Sequence, residues 1–178
     1  MSVDKKQKSD KNLFLENGLE KIVVALSFGK MKQSNQQFEE KVMPEIIKEI
    51  GLIAGQRPII TKARQSIAGF KIRQGEPVGL VATLRGRRMR DFFEKMINVV
   101  LPRVRDFRGL PLKNIDQKGS LNIGFRDQIV FPEINPETSK ISFGLQVTVV
   151  LQKKNREEAI AFYRQKGVPL TDKQKLIA

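Results

Sequence analysis

The sequence predicts an α+β fold, a two-layer sandwich in which helices cover one face of a mostly antiparallel sheet and leave the other face open. Three observations carry that expectation. Several segments alternate apolar and polar residues with period two, as half-buried strands do. Others repeat apolar residues at helical intervals and carry capping signals at their ends. The two kinds interleave along the chain, and each strand keeps one polar face, so helices cannot cover both sides of the sheet.

The elements follow in order. Residues 1–12 are polar and lysine-rich and read as a disordered basic tail, with a single domain over residues 13–170. Lys21–Phe28 reads as a strand, with Ile22, Val24, Leu26 and Phe28 on one face and Lys21, Val23, Ala25 and Ser27 on the other. Ser34 to Gln37 has capping-box spacing, and Phe38, Val42, Ile46, Ile47 and Ile50 follow at helical intervals. Pro44 is placed to kink that helix and Gly51 to stop it. Gln56–Arg64 reads as a second strand, with Gln56, Ile60, Lys62 and Arg64 on one face. After a long segment, Gln65–Pro77, comes a third strand, Val78–Arg85, with Val78, Leu80, Ala82 and Leu84 opposite Val81, Thr83 and Arg85.

Arg88–Leu101 reads as an amphipathic helix with Phe92, Phe93, Met96, Ile97 and Val100 on its apolar face, ended by Pro102. Arg103–Gly119 reads as irregular and basic, and Leu121–Phe125 as a short strand. Ile141–Leu151 alternates most regularly and reads as the last long strand. Asn155 is a good N-cap for a final helix that runs toward Gly167, with Glu157 and Glu158 in its first turn.

Composition narrows the function. The 178 residues carry 33 Lys and Arg against 19 Asp and Glu, a formal net charge of +14, which calls for a polyanionic partner. The chain has no Cys and no His, which removes a disulfide framework, a zinc ribbon, a thiol nucleophile and the commonest general base. No two glycines are one residue apart, so no GxGxxG loop exists, and Phe28-Gly29-Lys30-Met31 lacks the rest of a P-loop. Glu39-Glu40 and Glu157-Glu158 are adjacent on helices and point apart. The expectation is a non-enzymatic RNA-binding protein without cofactor, metal or small-molecule substrate. No apolar run is long enough to span a bilayer, so no membrane role is expected. The compartment expected is the cytoplasm, or an organelle that makes its own proteins.

The open face is expected to carry Lys21, Ser27, Gln56, Lys62, Arg64, Thr83, Arg85, Gln146 and Thr148. Such donors and cations bond phosphates and ribose hydroxyls, but they cannot stack bases. Between Arg57 and Arg90 lie Arg57, Lys62, Arg64, Lys71, Arg73, Arg85, Arg87, Arg88 and Arg90 against Glu76 alone. The loop Gln65–Pro77 also holds Ile67, Phe70 and Ile72, which either tuck into the core or probe a partner.

Five segments then carry a resemblance. They are Ile60-Thr61-Lys62-Ala63-Arg64, Ser66-Ile67-Ala68-Gly69-Phe70-Lys71-Ile72-Arg73-Gln74-Gly75, Thr83-Leu84-Arg85-Gly86, Arg103-Val104-Arg105-Asp106-Phe107-Arg108-Gly109-Leu110 and Gln128-Ile129-Val130-Phe131-Pro132-Glu133-Ile134. In collinear order, from about Lys21 to about Leu170, the chain resembles the bacterial-type family of large-subunit ribosomal protein five. The resemblance implies a curved antiparallel sheet and binding to 5S rRNA and 23S rRNA in the central protuberance. It implies that the loop Ser66–Gly75 touches peptidyl-site tRNA, and that the protein meets small-subunit ribosomal protein thirteen across an intersubunit bridge. The family's RNA-facing Gln and Thr match Gln56 and Thr83, whereas its Asn falls at Ala25. With the cationic neighbours added, the expected rRNA-binding set is Lys21, Ser27, Gln56, Arg57, Lys62, Arg64, Thr83, Arg85, Arg87 and Arg88. The chain departs from the family in three more places. A polar tail stands where a helix precedes the first strand, Asp116-Gln117-Lys118-Gly119-Ser120-Leu121 replaces a glycine-richer stretch, and residues 171–178 extend the C-terminus. The second reading is an extraribosomal RNA-binding or RNA-chaperone module.

Overall fold

The structure is a computed structural model that describes residues 18–34, 37–70, 72–139, 141–152 and 155–171. The expected tail, and all of the expected extension except Thr171, lie outside the described residues. The strands are β1 (Leu19–Ser27), β2 (Ile59–Lys62), β3 (Pro77–Leu84), β4 (Leu110–Pro111), β5 (Leu121–Phe125), β6 (Leu145–Leu151) and β7 (Leu170–Thr171). Five of them form an antiparallel sheet in the order β2-β3-β1-β6-β5, and β4 pairs with β7 in parallel. The helices are α1 (Gly29–Ser34), α2 (Met43–Ala54), α3 (Gly86–Lys95) and α4 (Arg156–Gln165). The fold is α+β, as the interleaved periods require. By compactness the chain divides into one unit of residues 23–83 with 124–147, and another of residues up to 22 with 84–123 and from 148 onward.

In the unit of residues 23–83 and 124–147, alternation sorts the side chains. Val24, Leu26, Leu80 and Ala82 are buried, as are Ile46, Ile50 and Ile53 of α2. Pro44 lies in the first turn of α2, directly after a π turn over Phe38–Val42. The capping residue of that π turn is Gln37, which makes no side-chain cap bond. Gly51 does not stop the helix. Ile53 continues the buried stripe, and the chain turns at Gly55, whose φ of 66° suits a residue without a Cβ.

The second strand is shorter than its apolar pattern suggested, and its faces are set by its pairing with β3. Ile60 lies opposite Leu80, whose side chain is in the core, so Ile60 points to the helix side. The register then slips between Thr61 and Lys62, which pair with Gly79 and Pro77. The extra residue, Val78, is on β3. The sequence expectation that Ile60 lies on the open face is corrected by its pairing with the buried Leu80. Gln56 and Arg64 lie beyond the ends of the strand.

The last long strand begins at Leu145 rather than Ile141 because a buried amide takes the place of its ladder. Gln128, fully buried, accepts from Phe143 N–H at 3.0 Å through Oε1. Its Nε2 faces the Ile141 carbonyl, Ser139 Oγ at 3.0 Å and Glu49 Oε2 at 3.3 Å. A side chain that satisfies both backbone groups of this stretch removes the need for a neighbouring strand.

In the other unit, α3 begins at Gly86, two residues before the sequence suggested. It continues through a π turn, Met96–Val100, and a last turn, Leu101–Arg103, so Pro102 lies within the final turn. Met89, Phe92, Phe93, Met96, Val100 and Leu101 are buried, with Ile97 half-buried. The stretch expected to be irregular holds β4, missed because two residues leave no period to read. Asn155 caps α4 as expected, its Oδ1 accepting from Glu157 N–H at 3.1 Å. The buried Tyr163 hydroxyl faces the carbonyls of Gly119 (3.0 Å) and Val149 (3.2 Å), and burial pushes its pKa above the usual phenol range.

Gly79 is required where β1 and β3 meet, since a Cβ there would lie 2.5 Å from the Leu26 carbonyl oxygen. Gly124 on β5 has open space. Urea unfolding is expected to show Gly79→Ala destabilised by about 1–3 kcal/mol, with Gly124→Ala neutral or slightly stabilised. Equal effects would contradict this packing.

Candidate nucleic-acid interface

The unit of residues 23–83 and 124–147 assembles most of the expected RNA-facing residues. Gly55 turns the chain out of α2, and Gln56 follows at once, its Nε2 donating to the Thr83 carbonyl at 2.9 Å. That bond ties the end of α2 to β3 and fixes the amide's orientation. Oε1 is left as an acceptor with no protein partner among the described residues, beside the half-buried Thr83. Arg57, Lys62 and Arg64 are exposed. Thr61, paired with Gly79 in the regular part of the register, is on this face, where the sequence reading did not place it. Ser27 is exposed, with its Oγ a long 3.5 Å from the Val78 carbonyl. Ala25 is half-buried and offers no polar group.

The electrostatics of this unit are one-sided. Glu76, the one acid between Arg57 and Arg90, sits 3.3 Å from Lys32 Nζ, which also meets Glu39 at 2.9 Å. Those carboxylates, Glu39 foremost, raise the Lys32 pKa above the ordinary lysine value. No acid pairs with Arg57, Lys62, Arg64 or Arg73 among the described residues.

The loop between β2 and β3 is internally bonded. Ile67 and Ile72 exchange backbone bonds of 2.9 and 3.3 Å around a 3₁₀ turn at Ala68–Phe70. Ser66 Oγ accepts from Gln74 N–H at 2.9 Å, and Ala63 exchanges bonds with Gly75 and Glu76 at the base. Ile67 is 47% and Phe70 64% exposed, so these two apolar residues are not tucked into the core. Arg73 is exposed, while Lys71 lies outside the described residues.

The other unit carries Lys21, half-buried and 3.3 Å from Glu20, and the exposed Arg85, Arg87 and Arg88. Arg87 approaches Asp91 at 3.6 Å, an exposed pair worth little. Thr148 donates to Asn122 Oδ1 at 2.8 Å, a polar pair that the sequence reading did not include because β5 is short and its Gly124 blurs the period. Exposed Arg103, Arg105 and Arg108 surround a turn at Asp106, whose φ is 55°.

These groups donate, accept and attract anions. Among the described residues no cluster of His, Cys, Asp or Glu could hold a metal, and no helix is long and apolar enough to cross a membrane. Each phosphate contact adds roughly 0.7–0.9 to the slope of log affinity against log salt. Changing both Arg57 and Arg64 to Gln is therefore expected to lower the slope for RNA by about 1.5. An unchanged slope would remove these two residues from the interface.

Residues 16–73 match the Ribosomal protein L5 family, and residues 77–170 match the C-terminus of that ribosomal family. The chain is 43% identical to the large ribosomal subunit protein uL5 of Geotalea daltonii over 89% of its own length and 86% of that protein's. It is 44% identical to that of Desulfatibacillum aliphaticivorans over 85% and 82%, and 42% identical to that of Roseiflexus castenholzii over 86% and 83%. The cationic, donor-rich surfaces and these matches agree: the chain belongs to the ribosomal protein L5 family, and as a member of it is a structural, rRNA-associated constituent of the large ribosomal subunit and not an enzyme.

Proposed function

We propose that the chain holds 5S rRNA and a neighbouring part of 23S rRNA in the central protuberance. On this reading the loop Ser66–Gly75 contacts peptidyl-site tRNA, and the protein meets small-subunit ribosomal protein thirteen across the intersubunit bridge. The observation that carries the rRNA assignment is the Gln56–Thr83 pairing. A fixed amide with a free Oε1 acceptor beside a hydroxyl is suited to ribose 2′-OH groups, and Arg57, Lys62 and Arg64 supply the phosphate contacts around it. The tRNA assignment is supported by the exposure of Ile67, Phe70 and Arg73 on a self-bonded loop.

One set of variants separates the two contacts. Gln56→Ala with Thr83→Val is expected to weaken 5S rRNA binding by about 1–3 kcal/mol while leaving random RNA nearly unaffected. Lys71→Glu with Arg73→Glu is expected to spare 5S rRNA affinity and to speed dissociation of peptidyl-site tRNA from assembled ribosomes. If the loop variant instead loses 5S rRNA with tRNA dissociation unchanged, the loop is an rRNA anchor. If the first pair weakens both RNAs equally, Gln56 and Thr83 are not a specific site.

A further inference from the structure

The unit of residues 23–83 and 124–147 also carries an apolar groove. Met43, Ile47 and Leu52 of α2 and Ile60 of β2 line it, together with the charged Lys48 and Arg57. Leu52 is 51% and Ile60 36% exposed, while Ile59, opposite Val81, is on the other face of β2. The strand beside the groove is the last in the sheet order, so alternate N–H and C=O groups of Ile59–Lys62 point away from β3. Ile60, opposite the buried Leu80, points to the α2 side, which sets the groove alongside that free edge. An exposed apolar edge strand is a site that another chain extends.

The chemistry of the groove selects its occupant. The unpaired N–H and C=O groups of Ile59–Lys62 alternate at strand spacing, which a second extended polypeptide backbone matches and a ribose–phosphate backbone does not. A second copy pairing antiparallel about Ile60 would bring Arg57 of one chain beside Lys62 and Arg64 of the other, and like charges across a ladder repel. An acidic segment meets Lys48 favourably. We propose that the outer edge of β2 and the adjoining groove receive an extended segment of a neighbouring protein, alternating branched apolar and acidic residues, as an added strand. The added ladder is short, because Pro58 has no N–H to give and β2 spans only Ile59–Lys62.

The test uses the full chain free of RNA, isotope-labelled and titrated with a synthetic hexapeptide of alternating Val and Glu, with a Val–Lys hexapeptide as its counterpart. Saturable shifts are expected at the amides of Ile59–Lys62 and at the methyl groups of Met43, Ile47 and Leu52, with the Val–Lys peptide about tenfold weaker. Lys48→Glu is expected to reverse that preference, and the exposed Leu52→Gln to weaken the Val–Glu peptide. Absence of saturable shifts, equal binding of the two peptides, or shifts elsewhere would overturn the proposal. A photoreactive phenylalanine analogue at position 52 in purified large subunits gives the second readout. Crosslinking into an acid-bearing protein segment supports the proposal. Crosslinking only to rRNA, only to a second copy, or to nothing overturns it.

Discussion

The architecture rests on one constraint, the period-two alternation of β1, β3 and β6. In each strand every second side chain is buried, among them Ile22, Val24 and Leu26, then Leu80, Ala82 and Leu84, then Val147, Val149 and Leu151. The intervening positions hold residues such as Lys21, Ser27, Thr83, Gln146 and Thr148, which no apolar layer could cover without stranding their polar groups. A slip of one residue in any of these strands would exchange the two sets. The same pattern that builds the core therefore leaves a polar face, and the function follows from what that face carries.

What it carries is cationic charge with little internal compensation. The acid nearest the basic stretch, Glu76, is already held by Lys32, and Lys32 in turn joins the helix side to the base of the β2–β3 loop. The arginines around it gain most from a polyanion; on the proposed reading phosphate contacts supply affinity and Gln56 Oε1 supplies discrimination. The loop is built on the same economy, using backbone bonds and Ser66 to hold itself together while Ile67, Phe70 and Arg73 face outward.

Much of this was legible in the sequence, because long amphipathic periods have few alternative explanations. The faces of β1, β3 and β6, the apolar stripe of α3 and the Asn155 cap all follow from spacing. The failures have identifiable physical causes. β2 has only four residues, too few for spacing to show that Ile60 faces the helix side with Leu80. Gln128 replaces a strand partner through a side chain far in sequence from most of the groups it serves. Gly51 and Pro44 are helix breakers by type, but local context decides: the buried stripe runs past the glycine, and the proline falls in a first turn. The pairing of Gln56 with the Thr83 carbonyl spans 27 residues, so spacing could suggest that both face RNA but not that they touch.

The central claim is that rRNA is held by the cations and donors of the polar strand face and its flanking turns. Arginine-selective labelling of the full chain with phenylglyoxal, read by mass spectrometry with and without 5S rRNA, tests it most directly. Arg57, Arg64, Arg85, Arg87 and Arg88 are expected to be shielded by the RNA, while Arg156 and Arg164 of α4 keep their reactivity. Shielding of the α4 arginines with the first group left reactive would place the RNA elsewhere and contradict the claim.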